Sequence, residues 1–198
     1  MKFYGQFDPP LDKVIYERYF KDKKHGLCVE AGAVDGVNLS TCKFFEDSLK
    51  WGCINIEPHP ESFKSLCDNR PKSLNLNMAL SDHDGTGLLR HGPNFILRAA
   101  LVDKKVNSRK RKYEYTEVTT ISFKSLMKKY AVTNIDLMVL DVEGKEVEVL
   151  KGMEGACCMP SVLCVEFNHA GLNNVTAAAQ GLGYKLDFSY KINAMFIK

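Results

Sequence analysis

Residues Leu27–Gly36, LCVEAGAVDG, decide the predicted fold of this chain. The first four form a short apolar run that ends in Glu30, and the next six form a loop of small residues. Ser40 and Thr41 follow as caps or first-turn residues of a helix that reaches Leu49. A strand, a glycine turn and a helix in this order bring the backbone close to a nucleotide-like ligand.

The spacing of the loop glycines argues against a dinucleotide. Gly32 and Gly36 do not make the G-x-G-x-x-G fingerprint. Glu30 lies two residues before the first glycine, where a carboxylate would repel a pyrophosphate. A ligand with cationic groups and hydroxyls fits better, and S-adenosylmethionine carries a sulfonium, an ammonium and a ribose but no phosphate. The alternative is an ordinary strand–turn–helix of an α/β protein.

A second apolar run, Cys53–Glu57, ends in an acid and is followed by Pro58. Glu57 lies about 20 residues after the last loop glycine, the spacing at which an acid at the tip of the second strand accepts hydrogen bonds from ribose hydroxyls. The two carboxylate oxygens suit two vicinal hydroxyls. The alternative is a surface glutamate before a proline turn.

The composition predicts one globular domain. The chain has 198 residues, of which 45% are hydrophobic and 26% are charged. The sequence contains no run of about 18 apolar residues, so no membrane span is predicted. The stretch MKFYGQFDPP lacks the apolar core of a signal peptide, and we therefore expect a cytoplasmic protein with no membrane contact. The seven cysteines form no C-x-x-C pair, which predicts free thiols and no zinc site.

Alternating strands and helices predict a parallel sheet with helices on both faces. The pattern predicts one strand over Ser73–Leu80, another over Thr116–Ser122 and a helix over Val142–Met153, and it weakens between residues 88 and 115. Two final strands, Tyr184–Tyr190 and Ala194–Ile197, form a hairpin, so the last strand is antiparallel. Ligands of such sheets bind at the carboxyl ends of the strands.

Four stretches of the chain resemble a known family. They are VEAGAVDGVNLST, WGCINIEPHPESFKSLCDNR, NMALSDHDG and ISFKSLMKKYAVTNIDLMVLDVEGKEVEVLKG. In this order they resemble the FkbM family of class I S-adenosylmethionine-dependent methyltransferases, which act on small molecules and sugars. The resemblance implies a Rossmann-like, doubly wound sheet of seven strands in the order 3-2-1-4-5-7-6, with the last strand antiparallel. The insert at about residues 88–115 has no family match, and we expect it to bind the acceptor within a single domain, 1–198.

The resemblance also implies roles at the methionine end of the cofactor S-adenosyl-L-methionine. Gly32 and Gly36 let the backbone approach the methionine moiety, and Glu30 or Asp35 faces its ammonium. Asp141 lies near the sulfonium. Val34 departs from the glycine that many methyltransferase loops carry at this position.

At the other end of the cofactor, the resemblance places Glu57 on the ribose hydroxyls and Asn77, Ala79 and Ser81 beside the adenine. The complete implied cofactor-binding set is Glu30, Ala31, Gly32, Ala33, Asp35, Gly36, Ser40, Glu57, Pro58, Asn77, Ala79, Ser81 and Asp141.

Methyl transfer to a hydroxyl needs alignment of the reactants and a base that accepts the proton. The candidates are Asp141, Glu143, Glu166 and His169, and the sequence leaves open which is the base. Helix capping is the alternative for the first two, and a structural role is the alternative for the histidine. A divalent metal bridging Asp141, Glu143 and Glu166 also stays open, although nothing in the sequence requires one.

The net charge of +3 comes from one segment, since six of the nine residues Lys104–Lys112 are basic. This run, with Tyr113 and Tyr115 for stacking on bases, supports an alternative function as an RNA methyltransferase. A nicotinamide-dependent enzyme and a non-catalytic binding module are two further alternatives. The expected partner is a small-molecule or glycan acceptor, and the oligomeric state stays open.

Overall fold

The computed structural model describes residues 1–92, 95–105 and 112–198. The helices are α1 (Leu11–Ile15), which continues as a π-helical turn (Tyr16–Phe20), α2 (Lys43–Leu49), α3 (Pro60–Asn69), α4 (Phe123–Lys129), α5 (Glu146–Lys151) and α6 (Leu172–Gly181). The strands are β1 (Leu27–Ala31), β2 (Gly52–Ile56), β3 (Leu74–Leu76), β4 (Ala79–Ser81), β5 (Gly85–Gly92), β6 (Phe95–Val102), β7 (Glu114–Ser122), β8 (Ile135–Leu140), β9 (Pro160–Glu166), β10 (Lys185–Tyr190) and β11 (Asn193–Ile197). None of the helices in the described residues has the length and apolar character needed to cross a bilayer.

The main sheet has seven strands in the order β10-β11-β9-β8-β1-β2-β3. The five strands β9, β8, β1, β2 and β3 are parallel to one another. Strand β11 is antiparallel to both of its neighbours, β9 and β10. The predicted α/β class and the antiparallel closing strand are therefore confirmed. When all strands of the chain are numbered, the order differs from the predicted 3-2-1-4-5-7-6. The reason is that four strands, β4 to β7, belong to another sheet and lie between β3 and β8 in the chain. When only the strands of the main sheet are numbered, their spatial order is the predicted one.

A second sheet, in the order β4-β7-β5-β6, was not predicted. The single strand expected over Ser73–Leu80 is two strands, since β3 pairs with β2 and β4 pairs with β7. Between them the Asn77 side chain donates hydrogen bonds to the carbonyls of Glu57 and Pro58, which turns the chain from one sheet to the other. The strand predicted over Thr116–Ser122 belongs to this second sheet as part of β7.

Two layers of apolar side chains cover the two faces of the main sheet. Val29 and Ala31 of β1 belong to the layer that α4, α5 and α6 complete. Cys28, which precedes Val29, belongs to the opposite layer, which α1, α2 and Trp51 complete. The alternation along β1 is the period of two that a strand between two helical layers requires, and it confirms the doubly wound arrangement.

The segment after β8 corrects the helix predicted over Val142–Met153. Residues 142–145 form a loop, in which Glu143 has φ +57° and Gly144 has φ +105°. The loop is closed by Glu146, whose Oε1 accepts hydrogen bonds from the backbone N–H groups of Val142 at 3.2 Å and Gly144 at 3.0 Å. Helix capping was the alternative role for Asp141 and Glu143. The N-cap residue of α5 is Lys145, so neither acid is at the capping position of this helix.

The basic run Lys104–Lys112 falls mostly on residues 106–111, which lie outside the described residues. Its predicted role in phosphate binding stays a prediction.

Candidate active site

A cavity of about 420 Å³ lies at the carboxyl ends of β1, β2, β8 and β9, with β5 and β6 of the second sheet on one side. This volume suits a ligand of nucleoside size. The cavity is lined by these residues of the predicted set: Glu30, Ala31, Gly32, Ala33, Ser40, Glu57, Pro58, Ala79, Asp141, Glu143, Glu166 and His169. Four others of that set, Asp35, Gly36, Asn77 and Ser81, do not line it.

The backbone conformation at Gly32 and the close approach of β8 explain why this residue is a glycine. Its φ is +86°, and a Cβ at this position would overlap the carbonyl oxygen of Asp141. The Asp141 N–H in turn donates to the carbonyl of Ala31 at 3.1 Å. Glycine is therefore required where the ends of β1 and β8 meet. Gly36 has φ +74°, and its missing side chain leaves room for Leu66 and Arg70 rather than for the cavity.

Glu30 is buried and its carboxylate is fully engaged within the chain. It accepts hydrogen bonds from Ser40 Oγ at 2.6 Å and from the N–H groups of Thr41 at 2.7 Å and Cys42 at 3.1 Å. Arg70 Nη1 pairs with it at 3.2 Å. These hydrogen bonds hold the residues that lead into α2 in place beside the cavity.

Asp35, the other acid predicted to face an ammonium, accepts hydrogen bonds from the backbone N–H groups of Val37 and Asn38. It stabilises the loop outside the cavity lining.

Glu57 lies at the end of β2 and is 4% exposed. Its Oε2 accepts a hydrogen bond from the N–H of Val34 at 2.9 Å, and its Oε1 accepts one from the N–H of His59 at 2.8 Å. Burial raises the pKa of Glu57 to about 7, against the effect of these two hydrogen bonds. The alternative of a surface glutamate is wrong. Each oxygen retains further acceptor capacity, and the side chain lines the cavity.

Three carboxyl groups meet at the opposite end of the cavity. Asp141 is exposed to the cavity, while Glu146 and Glu166 are 1% and 8% exposed. Burial, with the nearby charge of Asp141, raises the pKa of Glu166 to about 9. Desolvation also raises the pKa of Asp141, against the effect of its hydrogen bond with Glu166. Their proximity therefore disfavours ionisation of both carboxyl groups at once.

His169 and Glu143 form a pair beside this group, with 3.0 Å between His169 Nε2 and Glu143 Oε2. Both residues line the cavity. A carboxylate on Nε2 orients the imidazole and leaves Nδ1 as the nitrogen that can accept a proton. The four predicted catalytic residues are thus brought together at one end of the cavity.

Three non-glycine residues of the cavity lining have left-handed backbones: Val34 with φ +48°, Leu39 with φ +61° and Glu143 with φ +57°. A β-branched residue rarely adopts this conformation, which costs about 1–3 kcal/mol. At Val34 a glycine would adopt the same backbone without this cost. Backbone strain of this kind concentrates at functional sites, and the sequence carries no signal for it at Leu39 or Glu143.

Sequence reasoning missed an apolar wall and one acid. The wall is formed by Leu89 of β5 and by Ala99 and Leu101 of β6. Glu146 was not predicted, although it lies inside the family-specific stretch LDVEGKEVEVLKG, because an acid in the first turn of a helix usually faces solvent. Asn168 and Asn193 also line the cavity.

Comparisons with known proteins agree with this architecture. Residues 30–186 match the family model described as the Methyltransferase FkbM domain. The structure of Methyltransferase FkbM from Methylobacillus flagellatus KT is similar with a TM-score of 0.59 at 11% identity, over 91% of this chain and 46% of that one. The chain thus spans about half the length of that protein.

A second solved structure, precorrin-6y C5,15-methyltransferase from Geobacter metallireducens GS-15, is similar with a TM-score of 0.50 at 10% identity, over 94% of this chain and 85% of that one. At these identities the two structures show the fold alone. No sequence among the curated proteins matches the chain.

Proposed function

The chain belongs to the FkbM methyltransferase family, and from this premise we propose that it transfers a methyl group from S-adenosylmethionine to a hydroxyl of a sugar or another small molecule. The observation that carries the proposal is the position of Glu57. A buried carboxylate at the end of the second parallel strand lines the same cavity as the group of acids and His169 at the ends of β8 and β9.

The residues present fit the cofactor. Glu57 keeps acceptor capacity on both oxygens beyond its two backbone hydrogen bonds, so it can bind the two ribose hydroxyls. Pro58 and Ala79 offer an apolar surface beside it for the adenine. Gly32 and Ala33 expose backbone at the loop after β1 for the methionine moiety. Of the two acids predicted for the ammonium, Glu30 is the one that lines the cavity. Because its carboxylate is engaged within the chain, we assign it to positioning Ser40 at the methionine end rather than to binding the ammonium.

When bound, S-adenosylmethionine supplies a methyl group that is already activated by its sulfonium. The chain must align the acceptor hydroxyl with that methyl group and accept the hydroxyl proton. We assign the proton to His169 Nδ1, since Glu143 holds the other ring nitrogen at 3.0 Å. Asp141 and Glu166, which line the cavity beside this pair, bind and orient the acceptor hydroxyl.

The acceptor lies against the wall formed by Leu89, Ala99 and Leu101. All three fall within the insert at about residues 88–115 and line the cavity, and this supports the proposal that the insert selects the acceptor within a single domain. The wall is apolar, so the accepted molecule combines a hydroxyl with an apolar group.

The experiment is a screen of sugars, hydroxylated small molecules and short RNAs with S-adenosylmethionine labelled on its methyl group. We expect transfer to a small hydroxylated acceptor, and we expect His169→Gln to lower kcat by about 10²–10⁴-fold with little change in cofactor affinity. His83→Gln, which replaces an exposed histidine outside the cavity lining, is the matched control. Transfer to RNA alone, or an unchanged kcat for His169→Gln, contradicts the proposal.

A further inference from the structure

Two buried carboxylate oxygens beneath the cavity have no hydrogen-bond partner. Among the described residues, nothing donates to Glu146 Oε2 or to Glu166 Oε2. The two side chains are 1% and 8% exposed, so water reaches them little. A buried acceptor without a donor is costly, and such an atom in a native protein points to a bound group that supplies the missing interaction.

These two side chains point towards each other and towards Asp141. One carboxylate oxygen from each of the three residues lies within 4.8 Å of those of the other two. Asp141 is exposed to the cavity, which gives the group an opening towards the ligand. The three residues come from the end of β8, the start of α5 and the end of β9, so the fold itself assembles them.

No cationic side chain compensates these charges. In the part of the chain that the structure describes, no lysine, arginine or histidine forms an ion pair with Asp141, Glu146 or Glu166. Lys145 pairs with Asp103 and Glu148 instead, and His169 pairs with Glu143. Glu146 Oε1 is held by the backbone of residues 142 and 144, which leaves Oε2 as the oxygen without a partner.

We propose that Asp141, Glu146 and Glu166 bind a divalent cation of the oxygen-preferring class, Mg²⁺ or Mn²⁺, at the floor of the cavity. Carboxylate oxygens are the ligands that these ions take, and the open side at Asp141 leaves coordination positions for water or for an acceptor oxygen. The site differs from the one the sequence left open, because Glu146 replaces Glu143.

With the cation bound, Asp141 and Glu166 would hold the acceptor hydroxyl through the cation, which would make the hydroxyl easier to deprotonate, with the proton passing to His169. This role rests on the proposed function, whereas the binding of the cation does not. Transfer requires no oxidant or reductant: the bond from sulfur to carbon breaks, the bond from oxygen to carbon forms, and the base keeps the proton.

The test is a titration of the full chain with Mn²⁺, followed by electron paramagnetic resonance, without cofactor or acceptor. We expect one bound Mn²⁺ per chain, displaced by Mg²⁺, and a loss of affinity of at least about tenfold in Glu146→Gln and in Glu166→Gln. Glu154→Gln, which removes an exposed acid near the end of α5, is the matched control and should bind as the unmodified chain does.

Circular dichroism verifies that each variant is folded. A crystal of the unmodified chain soaked in Mn²⁺ tests the same site without a substitution, since the anomalous signal should lie among the three carboxylates. No bound Mn²⁺ at millimolar concentration, equal binding by both variants, or a signal elsewhere overturns the inference. Cofactor binding measured by calorimetry on the same protein separates the two proposals, because either can fail while the other holds.

Discussion

Glu57 Oε2 accepts a hydrogen bond from the backbone N–H of Val34 at 2.9 Å. This bond joins the end of β2 to the loop after β1, at a residue whose backbone is left-handed, with φ +48°. The carboxylate predicted to bind a ribose therefore also holds the glycine loop in place. Cofactor binding and loop geometry depend on the same side chain.

The first prediction concerns the affinity for S-adenosylmethionine. Glu57→Gln removes a charged acceptor of hydroxyl hydrogen bonds, each worth about 1.5–3 kcal/mol, so we expect the Kd to rise by about 10–100-fold. Isothermal titration calorimetry measures this change. Glu61→Gln, at an exposed position in the first turn of α3, should leave the Kd unchanged. Equal affinity in the Glu57 variant would remove the proposed ribose contact.

The second prediction concerns stability and pH. Burial raises the pKa of Glu57 from 4.5 to about 7, so the folded chain binds this proton more tightly than the unfolded chain does. Between these two pH values the contribution of Glu57 to the free energy of unfolding falls as pH rises. The difference amounts to about 3 kcal/mol above pH 7.

Glu57→Gln lacks this titration, so its free energy of unfolding relative to the unmodified chain should rise by about 3 kcal/mol from pH 4.5 to pH 7.5. Asp12, whose pKa burial raises to about 6, titrates in both proteins and cancels in the comparison. Urea unfolding at a series of pH values measures the difference. A constant difference across this range would show that Glu57 does not titrate as described.

The third prediction concerns the junction of β1 and β8. Gly32→Ala places a Cβ against the carbonyl of Asp141 in a backbone with φ +86°, and we expect a loss of at least about 3 kcal/mol in the free energy of unfolding. Gly181→Ala is the matched control, since nothing lies within 4 Å of its added Cβ at the end of α6. It should be neutral or stabilising by up to about 1 kcal/mol. Similar effects of the two substitutions in urea unfolding would refute this reading of the junction.

The fourth prediction compares two arginines that pair with carboxylates. Arg70 is 1% exposed and pairs with Glu30 and Glu46, so Arg70→Met leaves a buried acid without its cation and should cost about 3–5 kcal/mol. Arg18 pairs with Asp187 at the surface, where solvent screens the pair, so Arg18→Met should destabilise the chain much less. Urea denaturation midpoints distinguish the two. An equal loss of stability in the two variants would contradict the argument that burial makes the ion pairs of Arg70 more important than that of Arg18.

Local patterns predicted the parts of the site that depend on neighbouring residues in the chain. The β1 loop and the acid after β2 follow from strand endings and glycine spacing, and the structure places Gly32 and Glu57 at one cavity. The family stretches predicted the seven strands of the main sheet. In these places the local sequence preference agrees with the complete fold.

The features that sequence reasoning missed depend on contacts between distant residues. The second sheet was hidden because His91, a polar residue, occupies a buried position of β5 and interrupts the apolar alternation. Gly36 was expected to face the ligand, yet Leu66 and Arg70 of a later helix fill the space beside it. Glu146 resembles a solvent-facing helix acid in sequence, and only the fold places it under Asp141 and Glu166.

The central claim is that the cavity binds S-adenosylmethionine with its ribose on Glu57. A crystal structure of the chain grown with the demethylated product, S-adenosylhomocysteine, tests this claim most directly. We expect both ribose hydroxyls within hydrogen-bond distance of the Glu57 carboxylate, with the sulfur towards Asp141. A ribose bound elsewhere, or a Glu57 carboxylate turned away from it, would contradict the claim.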